Sequence, residues 1–267
     1  MTGAGIRQRR LIGRSLWHFI THDVLTALLA AAVAVVLWWA VTLVVKAQWL
    51  PGPASVVSRI IQLFKDPAFR SAYLSSLGIT AGGFLVAVVL GGLCGLAMAV
   101  SRIADLALRY YVDALLLLPT IVLAPVFVVM FGITSTNVFM LTVIYAFGII
   151  TLTSATAVRT IDRSWLEVGA VFGASRFQLV TRILLRGVLP EFFGGLHLGI
   201  TRAFKGMVVG QVFLGVLGIG AYEAKFQQAF DSAGIWSVAV ILIAMALLLT
   251  WMVKAADHVV NYWAYRD

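Results

Sequence analysis

The sequence predicts an all-α membrane protein built from six apolar helices, and three observations carry that prediction. First, 61% of its 267 residues are hydrophobic, 12% are charged, and the mean hydropathy is +0.99. Soluble domains average about a quarter charged residues, so a chain with half that share meets lipid over much of its surface. Second, apolar stretches recur at about 20 residues, the length that crosses the hydrocarbon core of a bilayer. Third, the 20 Lys and Arg against 11 Asp and Glu flank these stretches instead of lining one stripe. That placement argues against nucleic acid as a partner and reads as topology signals. The single cysteine, Cys94, lies inside an apolar run, which excludes an internal disulfide and a cysteine metal cluster.

The elements follow in order. Residues 1–23 form a basic segment with Arg7, Arg9, Arg10 and Arg14. The next stretch, 24–45, is longer than a signal-peptide core and no clear cleavage site follows, so it reads as an uncleaved first span within a membrane domain of 24–260. Trp49 at its far end suits an interfacial anchor. Pro51-Gly52-Pro53 breaks that helix, and Val56, Val57, Ile60, Ile61 and Phe64 then recur opposite Ser58, Arg59, Gln62 and Lys65. A short amphipathic helix follows from that spacing. The second span, 74–100, is uncharged, with Gly91 and Gly95 four apart on one face, where small residues allow close helix approach. The third, 110–131, holds Asp113, Pro119 and Pro125, so it is kinked or broken. After a turn at Gly132–Asn137 comes the fourth span, 138–158.

Residues 159–190 are the one long polar interval. Two short amphipathic helices suit it, Ser164–Phe172 and Arg176–Leu185, with Gly173 at the joint because glycine enters left-handed backbone cheaply. The fifth span, 192–217, is unusual in holding Arg202 and Lys205; a polar turn at Tyr222–Asp231 leads to the sixth, 235–253, and a tail at 261–267. The excess of Lys and Arg places both termini and the 159–190 loop in the cytoplasm, leaving Lys46, Arg59, Lys65, Arg70 and Lys225 outside.

The loop resembles the cytoplasmic EAA loop of permease subunits of bacterial ABC importers. Glu167, Gly173, Ile183 and Leu185 fall at the pattern's places, while Val168 and Gly169 replace its two alanines and Arg186 its proline. Leu50-Pro51-Gly52-Pro53, Ser76-Leu77-Gly78 with Gly82-Gly83-Phe84, Phe131-Gly132-Ile133 and Gly218-Ile219-Gly220 resemble motifs of the nitrate, sulfonate and taurine branch. Together these cover about residues 50 to 260.

The resemblance implies a type I importer permease with a coupling helix that docks in a cytoplasmic ABC ATPase subunit. The implied contact set is Ser164, Glu167, Val168, Gly169, Ala170, Phe172, Gly173, Ala174, Ser175 and Arg176. Glu167 is the polar anchor of that lever, or alternatively favours its own helix start. With Arg186 in place of proline, Pro190 is expected to end the second helix. The further implied partners are a second permease copy or paralogue and a periplasmic or lipid-anchored substrate-binding protein, in a bacterial inner membrane. ATP and Mg belong to the ATPase, since the chain has no Gly-Lys-Ser/Thr phosphate loop. No catalytic or metal site is expected: His18, His22, His197 and His258 are scattered, and neither H-E-x-x-H nor G-x-S-x-G occurs.

Arg202 and Lys205, at i, i+3 spacing, share a helix face. A charge at mid-bilayer costs about 2.5 kcal/mol or more, so it turns to a bundle interior, to water or to a carboxylate. Two readings stand: the pair lines a pathway for a small anion, with Gln211 and His197 beside the route, or it pairs with Asp113 or Glu191. An ion-driven secondary transporter is the rival class. It predicts mid-membrane carboxylates, and the only acid inside an expected span is Asp113.

Overall fold

The computed structural model describes residues 29–30, 32–45 and 47–261, and these fold into helices with no strand. The basic N-terminal segment, Lys46 and the tail beyond Asn261 lie outside the described residues. The chain divides between Arg59 and Ile60 into two units. The first holds helix α1, Ala32–Val45, and the start of α2, Pro53–Lys65.

The second unit is the bundle. Its α3, Pro67–Val100, begins seven residues before the expected span. Pro67 sits at the first helical position, where no amide hydrogen bond is lost, and the Asp66 carboxylate accepts from Ala68 N–H at 2.9 Å. The expected third span is two helices, α4, Arg102–Leu117, and α5, Leu123–Phe131. Pro119 forces Leu118 into an extended conformation (φ −67°, ψ 132°) and ends α4. Pro125 falls in the first turn of α5, where a missing N–H removes no bond. Of the two prolines, one breaks and the other is tolerated.

Next come α6, Ser135–Arg159, and α7, Arg163–Val171. The second loop helix does not end at Pro190. A short α8, Arg176–Gln178, passes through a π segment, Leu179–Leu184, directly into α9, Leu185–Leu214, with Pro190 inside the helix. The π turn shifts the helical register and Pro190 removes one amide donor, and the helix continues through both. The expected polar turn at 222–231 is mostly helix, α10, Gly218–Gln228, and α11 spans Ser232–Val260. Among the described residues, four helices are long and apolar enough to cross a membrane: α3, α6, the stretch Thr181–Leu214, and α11.

Helix α6 is the centre, packed between α3 and α9. Close approach explains the glycines. A Cβ on Gly95 would lie 2.5 Å from the Thr151 carbonyl oxygen, and one on Gly199 would lie 2.7 Å from the Ile150 side chain. Buried Thr142, Thr151 and Ser154 return their hydroxyls to carbonyls four residues back, at 2.7, 2.8 and 2.6 Å. Their polar groups are thus satisfied in an apolar core built on Leu141, Ala146, Ile150, Met207, Ile219 and Met245.

One connection departs from ordinary backbone. Phe230, between α10 and α11, has φ +53°, unique to it among the described non-glycine residues. A left-handed conformation costs an L-residue about 1–2 kcal/mol.

Candidate functional site

The interval after α6 is a short helix capped at both ends and joined to a second. Asp162 caps α7, its carboxylate accepting from Ser164 N–H at 2.9 Å. That hydrogen bond holds the Asp162 carboxyl below its ordinary value. The helix start is therefore served by Asp162, whereas Glu167 stands exposed on the second turn. At the other end, Gly173 N–H donates to Ala170 O and Ala174 N–H to Gly169 O, both at 3.0 Å, with Gly173 at φ +78°. This pair of bonds is a Schellman ending, which needs the left-handed residue that glycine supplies.

Immediately afterwards Ser175 and Gln178 form a reciprocal capping box. Gln178 N–H donates to Ser175 Oγ at 3.3 Å, and Ser175 N–H donates to Gln178 Oε1 at 2.9 Å. The Ser-x-x-Gln spelling was legible but went unread in the sequence. Gly169 is explained by contact: its Cβ would lie 2.6 Å from Ile183 and 2.7 Å from Leu179, which fold over it from the π segment.

On the other side α7 is open. Trp165 is 54%, Val168 55% and Phe172 87% exposed, and Ala170 and Ser164 are exposed with them. On α8, Phe177 is exposed as well. Arg176 opens α8, placing its backbone next to the Gly173–Ser175 joint.

Two polar ties fasten this end to the bundle. Arg159 donates to the Met98 carbonyl at 2.7 Å and pairs with Asp105 at 2.9 Å, while Arg109 reaches the same carboxylate oxygen at 2.7 Å. The hydrogen bond from Arg109, then that from Arg159, holds the Asp105 carboxyl below its ordinary value. Thr160 donates its hydroxyl to Glu191 at 2.5 Å.

On α9, Arg202 is half-buried and Lys205 exposed, on a face shared with exposed Leu198 and Thr201. His197 is half-buried, its Nδ1 3.3 Å from the Phe193 carbonyl. Glu191, one expected partner for the pair, is engaged by Thr160. Gln211 is placed differently from the other three. It is 1% exposed, and its Oε1 accepts from Ile219 N–H at 3.1 Å and lies 2.9 Å from Ser76 Oγ. A Cβ on Gly218 would strike the Gln211 side chain and one on Gly220 the Gln211 backbone carbonyl, so the Gly-Ile-Gly motif is shaped to fit this residue. Close by, burial pushes the Glu223 carboxyl up.

Residues 87–261 match the family described as "Binding-protein-dependent transport system inner membrane component". The chain is similar to the formylaminopyrimidine transport permease protein ThiX of Halalkalibacterium halodurans, with 28% identity over 80% of this chain and 85% of that one. It is also similar to the taurine transport system permease protein TauC of Escherichia coli, with 22% identity over 94% of each. Among solved structures, a chain of the inward-facing MetNI methionine ABC transporter superposes with a TM-score of 0.61 at 19% identity, covering 72% of this chain and 95% of that one.

Proposed function

Because this chain belongs to the binding-protein-dependent transport system inner membrane components, we propose that α7 is its coupling helix, that α9 lines its solute route, and that the solute is a small anion. It is the permease subunit of an ATP-driven importer. The observation that carries the coupling reading is the exposed apolar face of α7, Trp165, Val168 and Phe172, on an element locked at both ends. Apolar surface of this kind on a projecting helix suits burial in a protein cleft. The cleft belongs to a cytoplasmic ABC ATPase, which also holds ATP and Mg. The loop accordingly lies on the cytoplasmic side, with both termini.

Force transfer follows from stiffness. The Schellman ending and the capping box leave no slack residue between α7 and α8, and α8 runs without a break into α9. Movement of the docked helix therefore tilts or slides the same helix that bears Arg202 and Lys205. Two such chains, identical or paralogous, enclose the route, and an external binding protein loads it. Gln211 holds the outer end of α9 in place by packing.

The anion reading rests on Arg202 and Lys205 and on the taurine permease among the relatives. A second reading is a neutral pyrimidine-like solute, favoured by the higher identity to ThiX. Fully burying a large apolar side chain stabilises by about 1.5–3 kcal/mol. Phe172→Ala should therefore weaken co-purification of the ATPase roughly tenfold or more, with the chain still folded in detergent. ATPase retention equal to wild type would refute the docking assignment.

A further inference from the structure

Chain direction fixes which residues lie at the far end of the bundle from the coupling helix. The helix that leaves α8 reaches Leu214 at its other end, and α11 starts back from Ser232. Between them, the last exposed residue before α11 turns is Phe230, 90% exposed and at φ +53°.

The turn repeats the geometry at Gly173. Phe230 N–H donates to Gln227 O at 3.1 Å and Asp231 N–H to Phe226 O at 2.9 Å. At Gly173 this Schellman ending carries the residue that tolerates it, and at 230 it carries a bulky aromatic that does not. The surroundings leave the backbone no other choice. The Asp231 carboxylate accepts from Gly234 N–H at 2.9 Å, Ser232 N–H donates to Phe230 O at 3.1 Å, and a Cβ on Gly234 would lie 2.5 Å from the Phe226 ring. Glycine would relieve the strain. The ring instead points into open space, so its presence is not explained by packing. Strain held in this way is a mark of a functional position.

We propose that Phe230 is an anchor on which the external substrate-binding protein docks. This rests on the import reading above. The character of the patch selects the occupant. In the turn of chain that leads to Phe230 the exposed residues are Lys225, Gln227, Gln228 and Ala229. A loop that dips into lipid presents several apolar side chains together. One aromatic ring inside a polar rim is instead the make-up of a protein–protein hot spot, where the rim excludes water from the anchor. The strained backbone holds the ring outward before the partner arrives, which lowers the entropy lost on docking.

The test uses this chain reconstituted with its ATPase and its binding protein. Phe230→Gly removes the ring and relaxes the turn. The unfolding temperature should rise, ATP hydrolysis without binding protein should stay within twofold, and the binding-protein concentration for half-maximal stimulation should rise at least tenfold. Phe230→Tyr should keep wild-type stimulation. Equal stimulation of wild type and Phe230→Gly overturns the proposal. A photo-crosslinker on Phe230→Cys, in a Cys94→Ala background, should capture the binding protein, and capture of lipid or of a second copy of this chain instead overturns it. A wild-type complex that no binding protein stimulates overturns the import reading itself, and this inference with it.

Discussion

At the scale of single residues, the clearest constraints come from glycines that touch another helix. Gly95 has the Thr151 carbonyl 2.5 Å from where its Cβ would be, and a backbone atom cannot rotate aside as a side chain can. Overpacking of this kind costs about 1–3 kcal/mol, so Gly95→Ala should lower the unfolding temperature measurably. Gly78, with nothing within 4 Å, should accept alanine without loss and serves as the control. Gln211 belongs with these packing positions. Its oxygen shares the Ile219 N–H with Ser76 Oγ, at 3.1 and 3.2 Å, so Gln211→Leu removes one of two acceptors and should cost about 0.5–1.5 kcal/mol. Lys205 differs from all of them because it is exposed. Lys205→Met should reduce substrate-stimulated transport while ATPase co-purification is unchanged, and transport at the wild-type rate would refute its place on the route. The Gly-Ile-Gly motif and the Gly91/Gly95 face were legible in the sequence, whereas the burial of Gln211 was not, since it depends on which turn folds back over it.

At the scale of elements, α7 and its joint form a unit whose stiffness is testable. Ser175→Ala removes the side-chain half of the capping box and should cost about 1 kcal/mol. Gly173→Ala places a Cβ in left-handed backbone at about 1 kcal/mol. Both should loosen the link between ATP hydrolysis and transport more than they weaken ATPase binding, read as a lower transport-to-hydrolysis ratio. The Asp105 tie to α6 carries a pH dependence. Its carboxyl is lowered in the folded chain, so the tie is at full strength above the unfolded value and is lost as pH falls through the folded one. The stability gap between wild type and Asp105→Asn, measured by thermal unfolding, should therefore be present at pH 7 and shrink toward pH 3. The loop helix itself was readable from Gly173 and the spacing of Glu167. The fusion of α8 with α9 was not, because Pro190 signals a stop in sequence while a π segment and the packing of Leu179 and Ile183 on Gly169 carry the helix onward.

At the scale of the whole molecule, family membership removes the ion-driven rival: the chain stands with binding-protein-dependent systems. Import should therefore stop when the partner ATPase is inactivated and persist when the proton gradient is collapsed, measured with solute in proteoliposomes. The apolar stretches, their basic borders and the polar interval between α6 and α9 by themselves determined that this is a helical membrane protein with one long polar connection. Those features are properties of composition and spacing, and lipid imposes them on any chain that crosses it. Only the tertiary structure decided that α8 and α9 are one continuous helix and that Gln211 faces a turn. Each of these depends on which surfaces come within contact distance, a condition set by residues far apart along the chain and by no local pattern.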